Sequence, residues 1–543
     1  MKYIALDLGT SGFRAQAIDE DGSIISTVIT ARHPLPGANV MDQLHFCINF
    51  GQEITTALFR AAVQQVISEL GIDLSEVKRL AVCGNPIQLS LFEGIEVKDL
   101  AYAGKNALKR LGVEPVKRDA KIRKAADIGL DLIAQADVLI PPAVRHEIGA
   151  DALAMMYMTG MLDNDEIALV TDYGTNAEMA LKIGDQIFTG SSAAGPALEG
   201  QHISAGMLAA PGAIADIERL ASDRWQCLVL NENLESQLSA VVDLIGGQSI
   251  DEGCEGQKAK GITGTGVIAA IAVGIDQEIV GPPTINTPTN TLFLQDGVQL
   301  TEKDIKEAGK AIGAIRAGHL TLLEEASINM DQVKTVYMTG ASGTYVDARK
   351  AQRIGLVPGS AKKIVQAGNT SLSMAVELAK NPKLLEKLQE IANGMRANHI
   401  MFADSNVFKN CYAVELAYWD EGMPFKFFNK MLKKYKIQTL PEVPVDAEII
   451  RLAQRDIIDI GSNGLQVLQN IGTNLYLGFD QCSGCESCAV ECPEDALQVH
   501  KEQDGYKIVI RSDYCNGTAC RRCEDVCPVS CFKYEQISLT PSD

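Results

Sequence analysis

The sequence predicts an α/β protein, a large layered body built from two related halves and followed by a small cysteine-rich α+β module. Three observations carry this expectation. Apolar runs of strand length alternate with helical patterns from residue 1 to about 420. A phrase of strand, Asp, x, Gly, Thr occurs twice, at Asp7-Leu8-Gly9-Thr10 and Asp172-Tyr173-Gly174-Thr175. Nine of the 14 cysteines lie between Cys482 and Cys531.

In chain order, Tyr3-Ile4-Ala5-Leu6, Ala81-Val82-Cys83, Ile167-Ala168-Leu169-Val170 and Val336-Tyr337-Met338 are the strands. They are short and continuously apolar, as strands covered on both faces are. Residues 1–420 form the body, with its second half opening near 172. Residues 421–475, carrying Pro424, Pro441 and Pro444, read as a helical connector. Pro424 suits the first turn of a helix on which Lys426, Lys430, Lys433 and Lys434 share one face and Phe428, Met431, Leu432 and Tyr435 the other. That is an amphipathic surface helix, with a basic dock for an acidic partner as its sharper reading. Residues 476–543 are the cysteine-rich module.

Composition narrows the function. With 49 Lys and Arg against 69 Asp and Glu the net charge is −20, which repels nucleic acid and anionic membrane surfaces. The start, Met1 to Asp7, has an acid where a secretory signal needs an apolar region. The longest apolar run, 267–275, is far below the roughly 20 residues of a membrane helix. A cytoplasmic protein is expected. Cys47, Cys83, Cys227, Cys254 and Cys411 stand singly and read as core or loop thiols.

The cysteine-rich module repeats itself. Cys482-x2-Cys485-x2-Cys488-x3-Cys492-Pro493 is the bacterial ferredoxin spacing, and Cys515-x4-Cys520-x2-Cys523-x3-Cys527-Pro528 echoes it with a longer first gap. In such a doubled run the fourth cysteine of each half ligates the other cluster. Cys482, Cys485, Cys488 and Cys527 are expected to hold one [4Fe-4S] cluster, and Cys515, Cys520, Cys523 and Cys492 the second. Zinc is the competing metal, since it also uses Cys-x2-Cys pairs, but it does not call for this run twice. Cys531 aligns with Ala496 and reads as a small buried side chain. Residues 480–543 carry six Lys or Arg against twelve Asp or Glu, surroundings that favour a low potential.

No P-loop is present; Gly309-Lys310 has Asp304 where the first glycine belongs. Instead Asp7-Leu8-Gly9-Thr10-Ser11-Gly12 ends a strand in an acid and turns through glycine, a shape whose N–H groups cradle phosphate while the carboxylate reaches magnesium. The second copy at Asp172 repeats it. Val336-Tyr337-Met338-Thr339-Gly340-Ala341-Ser342-Gly343 runs a third strand into a small-residue turn where adenosine can approach. In this order the three resemble the phosphate 1, phosphate 2 and adenosine motifs of the actin, heat-shock-70 and sugar-kinase superfamily, which implies a duplicated ribonuclease H-like ATPase. Gly190-Ser191-Ser192-Ala193-Ala194-Gly195-Pro196-Ala197-Leu198-Glu199-Gly200, Gly84-Asn85 and Ile148-Gly149-Ala150-Asp151 further resemble the reductive activators of corrinoid-dependent methyltransferases.

An ATPase followed by a two-cluster module is similar to the archaeal branch serving methylamine methyltransferases. The resemblance implies ATP-dependent return of a corrinoid protein from Co(II) to Co(I), fed by a low-potential electron donor. It assigns Asp7, Gly9, Thr10 and Ser11 to phosphate, Asp172, Gly174 and Thr175 to phosphate and Mg2+, and Gly340 with Gly343 to adenosine. Glu199 and Glu178 are its candidates for positioning water, Glu199 counted with Asp7 and Asp172 as catalytic. The corrinoid belongs to the partner, because no Asp-x-His-x-x-Gly is present. Two other readings compete: a sugar-type kinase with a ferredoxin tail, whose ATP turnover a small alcohol would stimulate, and a non-catalytic redox module that senses nucleotide.

Overall fold

A computed structural model describes residues 1–539 apart from 38, 102–107, 111, 145–147, 175, 193–196, 198–199, 201, 208, 247–249, 251–256, 396–397, 454, 480, 503–504, 518–519 and 534–535. The chain forms two compact units, Met1–Asp151 with Leu372–Ala392 and Asp459–Asp543, and Ala152–Ser371 with Asn393–Ile458.

The first unit is built on a 7-stranded sheet in the order Leu465–Leu468, Ile24–Thr30, Phe13–Asp19, Lys2–Leu8, Val77–Gly84, Asp137–Ile140, Lys121–Lys124. Lys2–Leu8, Phe13–Asp19 and Ile24–Thr30 are an antiparallel meander; Val77–Gly84 then adds parallel to Lys2–Leu8 and Asp137–Ile140 parallel to it. Ile4, Ala5, Leu6 and Leu8 are fully buried, so both faces of the first strand are covered and its apolar run is explained.

The second unit repeats that plan. Its 6-stranded sheet runs Gln186–Ser192, Ala177–Ile183, Ala168–Tyr173, Thr335–Thr339, Lys363–Gln366, Glu448–Arg451: again a meander, then parallel additions. The duplication expected from the two Asp-x-Gly-Thr phrases is thus a duplication of sheet topology, each acid standing second from the end of its unit's first strand. An extra 4-stranded sheet and the fully buried Trp225 belong to this unit. The 267–275 run lies in the Gly264–Asp276 helix, buried on all sides by the core. Gly309 and Lys310 lie inside the Glu302–Glu325 helix, whose start Thr301 and Asp304 close with a capping box. Among the described residues no helix is long and apolar enough to cross a membrane.

Residues 421–475 are not a helical connector. After the Phe425–Lys434 helix the chain lays Glu448–Arg451 onto the second unit's sheet and Leu465–Leu468 onto the first unit's. These edge strands are only four residues long, Glu-Ile-Ile-Arg and Leu-Gln-Val-Leu, too short for a periodic pattern to mark them. Nor do residues 1–420 form one body, since 372–392 returns to the first unit. The helix itself follows its pattern, with Phe428 and Leu432 fully buried and the four lysines exposed.

The cysteine-rich segment is part of the first unit. It has a 3-stranded antiparallel sheet, Asn474–Phe479, Gly505–Arg511 and Leu497–Glu502, and two one-turn helices, Ser487–Val490 and Arg522–Asp525.

Two buried histidines make the fold acid-sensitive. Burial holds His33 down at about 4 and His319 at about 3, so both are neutral when folded. The unfolded chain protonates them below about 6.5. Their contribution is therefore complete above pH 6.5 and drains away as the pH falls toward 4. The expected loss from pH 7.5 to 5.5 is about 1.4 kcal/mol per histidine, read as a fall in urea midpoint that His33→Gln and His319→Gln each flatten.

Candidate functional site

The first phosphate turn links Lys2–Leu8 to Phe13–Asp19. Asp7 is 4% exposed and stands opposite Arg14, whose Nη1 lies 3.5 Å from its Oδ2. A Cβ on Gly9 would meet the Gly12 carbonyl at 2.8 Å, so the turn closes only on glycine. The Phe13 N–H donates to Thr30 Oγ1 at 2.8 Å, which ties the far side of the turn to the third strand of the meander.

Thr10 is gripped from two directions. Gln43 Nε2 donates to its carbonyl at 2.9 Å and Asn85 Nδ2 to its hydroxyl at 3.2 Å. Asn85 also caps the Pro86–Glu93 helix, accepting from the N–H groups of Ile87 and Gln88. The positive end of that helix thus begins beside the turn, where an anion is favoured. A side chain on Gly84 would strike the Leu8 carbonyl at 2.7 Å and one on Gly149 would strike Pro86. Three separate sequence motifs, around Gly9, Gly84-Asn85 and Gly149, are therefore one packed site in the first unit.

In the second unit, Asp172 lies at the end of Ala168–Tyr173, beside Thr339 in the parallel ladder and across from Glu178 in the antiparallel one. Thr339 Oγ1 donates to Asp172 Oδ2 at 3.2 Å, and Ser191 Oγ to Glu178 at 3.4 Å. Gly340 has φ +81°, and a Cβ there would sit 2.5 Å from Asp172 Oδ1; one on Gly343 would sit 3.2 Å from the Tyr173 ring. Gln366 Nε2 holds the carbonyls of Gly343 and Val346, each at 2.8 Å. The second phosphate motif and the adenosine motif are thus neighbours, with Gly174 half-buried between strands. Asp172 and Glu178 are direct partners in the antiparallel ladder, so the two acids share one face of the sheet. Thr175 and Glu199 lie outside the described residues, as does Cys254.

The cysteines sort into two cavities in the crossed pattern. One, of about 20 Å³, is lined by Cys515, Cys520, Cys523 and, from the first run, Cys492. The other, of about the same volume, is lined by Cys482, Cys485, Cys488 and, from the second run, Cys527. Backbone N–H groups already address sulfur: Gly484 to Cys482 at 3.4 Å, Ala496 to Cys492 at 3.3 Å, Gly517 to Cys515 at 3.4 Å. The thiols around each cavity, four in the first and five in the second, with N–H groups on three of the sulfurs, fit a [4Fe-4S] cluster. Burial pushes the Cys488 thiol up to about 11 and Cys523 to about 12, so both stay protonated until a bound metal displaces the proton.

Cys531 differs from its expected role as buried filler. It is only half-buried and lines the second cavity, its sulfur 3.6 Å from that of Cys527. Sequence reasoning also missed Gln43 and Gln366, which act over long separations that leave no spacing to detect, and the capping role of Asn85, which the following Pro86 could have signalled.

Comparison with known proteins agrees with this geometry. Residues 3–164 match the family model of the RACo middle region, 166–429 that of the C-terminal ASKHA domain of RACo, and 481–531 a 4Fe-4S dicluster domain. The chain is 49% identical over 523 residues, 96% of each protein, to the [Co(II) methylated amine-specific corrinoid protein] reductase of Methanosarcina barkeri. It is 26% identical over 378 residues to the corrinoid activation enzyme RamQ of Eubacterium limosum, covering 65% of this chain and 60% of that one. A solved reductive activator for corrinoid,iron-sulfur protein shares the fold at a TM-score of 0.62 and 22% identity, over 77% of this chain and 66% of the other. With that extent of kinship, the chain belongs to the family of corrinoid protein reductive activators, iron–sulfur enzymes built on the actin and sugar-kinase ATPase fold.

Proposed function

We propose that this protein spends ATP to reduce the corrinoid protein of a methylamine methyltransferase system by one electron, returning Co(II) to Co(I). The observation that carries the reading is that one compact unit holds both the Thr10 phosphate turn and the two cysteine-lined cavities. The choice of partner is supported by the near full-length kinship with a methylated-amine-specific corrinoid protein reductase.

Cys482, Cys485, Cys488 and Cys527 hold one [4Fe-4S] cluster and Cys515, Cys520, Cys523 and Cys492 the other, which when bound supply one-electron transfer. Asp7, Gly9, Thr10 and Ser11 receive phosphate on backbone N–H groups at the start of the sheet. Asp172, Gly174 and Thr175 take phosphate and Mg2+, with Glu178 beside Asp172. Gly340 and Gly343 leave the space that adenosine needs. Glu178 and Glu199 are the candidates for aligning the attacking water. A low-potential donor in the cytoplasm fills the clusters. Each 100 mV of uphill one-electron transfer costs about 2.3 kcal/mol, a deficit that ATP is there to cover.

Anaerobic reconstitution is expected to load two cubanes, about eight iron per chain by iron analysis. Cys531→Ser keeps both, whereas Cys488→Ser loses or converts one; zinc in place of iron removes the assignment. Asp7→Ala and Asp172→Ala should each lower ATP hydrolysis by about a hundredfold or more while the visible absorption of the clusters stays. Reduced protein mixed with a methylamine corrinoid protein should give the Co(I) spectrum only when ATP and Mg2+ are added. Equal Co(I) formation without ATP defeats the proposal, and ATP turnover stimulated by a sugar rather than by the corrinoid protein replaces it with a kinase.

A further inference from the structure

Between the Ile24–Thr30 strand and the Val40–Phe50 helix, residues 31–37 run through the first unit with one side toward the phosphate turn and the other toward the cysteine-rich segment. On the turn side, the Leu35 N–H donates to His33 Nδ1 at 3.1 Å. That acceptor role leaves the proton of the neutral ring on Nε2, which donates to Gln88 Oε1 at 3.0 Å. Gln88 Nε2 donates to Gln43 Oε1, and Gln43 Nε2 to the Thr10 carbonyl at 2.9 Å. Every donor in this chain points the same way, from residue 35 to the phosphate turn. His33 is 5% exposed and Gln43 and Gln88 are fully buried.

On the other side, Ser512 Oγ donates to the Pro34 carbonyl at 2.6 Å, and the Gly37 N–H donates to the carbonyl of Cys515 at 2.9 Å. The Arg32 guanidinium lies 4.4 Å over the Tyr514 ring. The segment therefore joins the carbonyl of Thr10 to the backbone of Cys515, which lines one of the two cysteine cavities.

Resting on the site assignments proposed above, we infer that His33, Gln88 and Gln43 are positioning residues that transmit the occupancy of the Thr10 phosphate turn to the cluster held by Cys515. A buried donor or acceptor left without its partner is costly, and hydrogen bonds in series polarise one another. When phosphate draws on the turn and shifts the Thr10 carbonyl, moving the Gln43–Gln88–His33 chain together costs less than breaking it. Residues 34 and 37 then move with it, and so does the backbone at Cys515. Cluster potential responds to hydrogen bonds at sulfur and to solvent exposure, both of which that backbone sets. The network supplies the route; a measured difference between the nucleotide-bound and nucleotide-free protein supplies the second state.

The test uses the full chain, with both clusters loaded and partly reduced at a fixed potential, and compares its electron paramagnetic resonance spectrum with and without a non-hydrolysable ATP analogue and Mg2+. In the wild type, the analogue should change the reduced-to-oxidised ratio of one cluster by about threefold, some 28 mV for a one-electron couple. The responding signal is the one that Cys520→Ser alters. Gln88→Met, similar in size but unable to relay the bond, should keep its iron and bind the analogue with a dissociation constant within about threefold of wild type, yet lose the spectral response. Arg32→Gln, at the half-exposed end of the route, should lose at least half of it and decides the matter if Gln88→Met does not fold. A full response in either folded variant overturns the inference, as does a wild type that binds the analogue and holds all its iron but shows no response. A wild type that binds no nucleotide, or holds no second cluster, instead removes the site assignments on which the inference rests.

Discussion

The ladder between parallel strands is the constraint on which the rest depends. In each unit the first strand ends in an acid and is paired with a parallel neighbour, Lys2–Leu8 with Val77–Gly84 and Ala168–Tyr173 with Thr335–Thr339. Register places Leu8 beside Gly84 and Asp172 beside Thr339. A shift of one residue would turn each acid to the opposite face and strand the glycines that make room for it. Gly84 against Leu8 and Gly340 against Asp172 leave no space for a Cβ, so both glycines follow from register. Ligand sites of open α/β sheets form at these carboxyl ends of the strands, and a chain that doubles the sheet doubles the site.

The second consequence is where the cysteine-rich segment goes. Leu465–Leu468 pairs with Ile24–Thr30, and this edge strand delivers the remaining chain to the first unit. The segment then binds through Ser512, Tyr514 and Cys515 to residues 32–37, and Asp513 accepts from Arg511 and the Ile471 N–H. Sharing a unit with the phosphate turn is what allows a short route between nucleotide chemistry and redox chemistry. A module tethered only by a flexible linker would have no such route.

Electrostatics give the two kinds of site opposite characters. The phosphate turn offers backbone N–H groups and a helix start, a positive environment for an anion. The cysteine-rich segment is acidic, which lowers cluster potentials, while the N–H groups reaching Cys482, Cys492 and Cys515 act in the other direction. Glu494, Arg521 and Arg522 line the cavity of Cys515 and Glu486 that of Cys482, so the two cavities have unlike surroundings.

Much of the site was legible in one dimension because its chemistry uses short spacing. Cys-x2-Cys-x2-Cys-x3-Cys-Pro is a local geometric demand, and so is a strand that ends Asp-x-Gly-Thr. The crossed grouping of cysteines followed from the doubled ferredoxin spacing, in which the fourth cysteine of a run serves the other cluster. Local sequence could not reveal the path of the chain. Glu448–Arg451 and Leu465–Leu468 are too short to be read as strands alone and are completed by pairing with the sheet edges. Nor did any spacing announce that Gln43, Gln88 and His33 would meet, because a hydrogen bond between buried side chains is decided by packing across distant segments. Sequence by itself determined the two cysteine runs and the doubled Asp-x-Gly-Thr phrase, each defined by short spacing along the chain. Tertiary structure decided which unit holds them and what connects them, because only folding removes water from those polar groups and makes each satisfy the next.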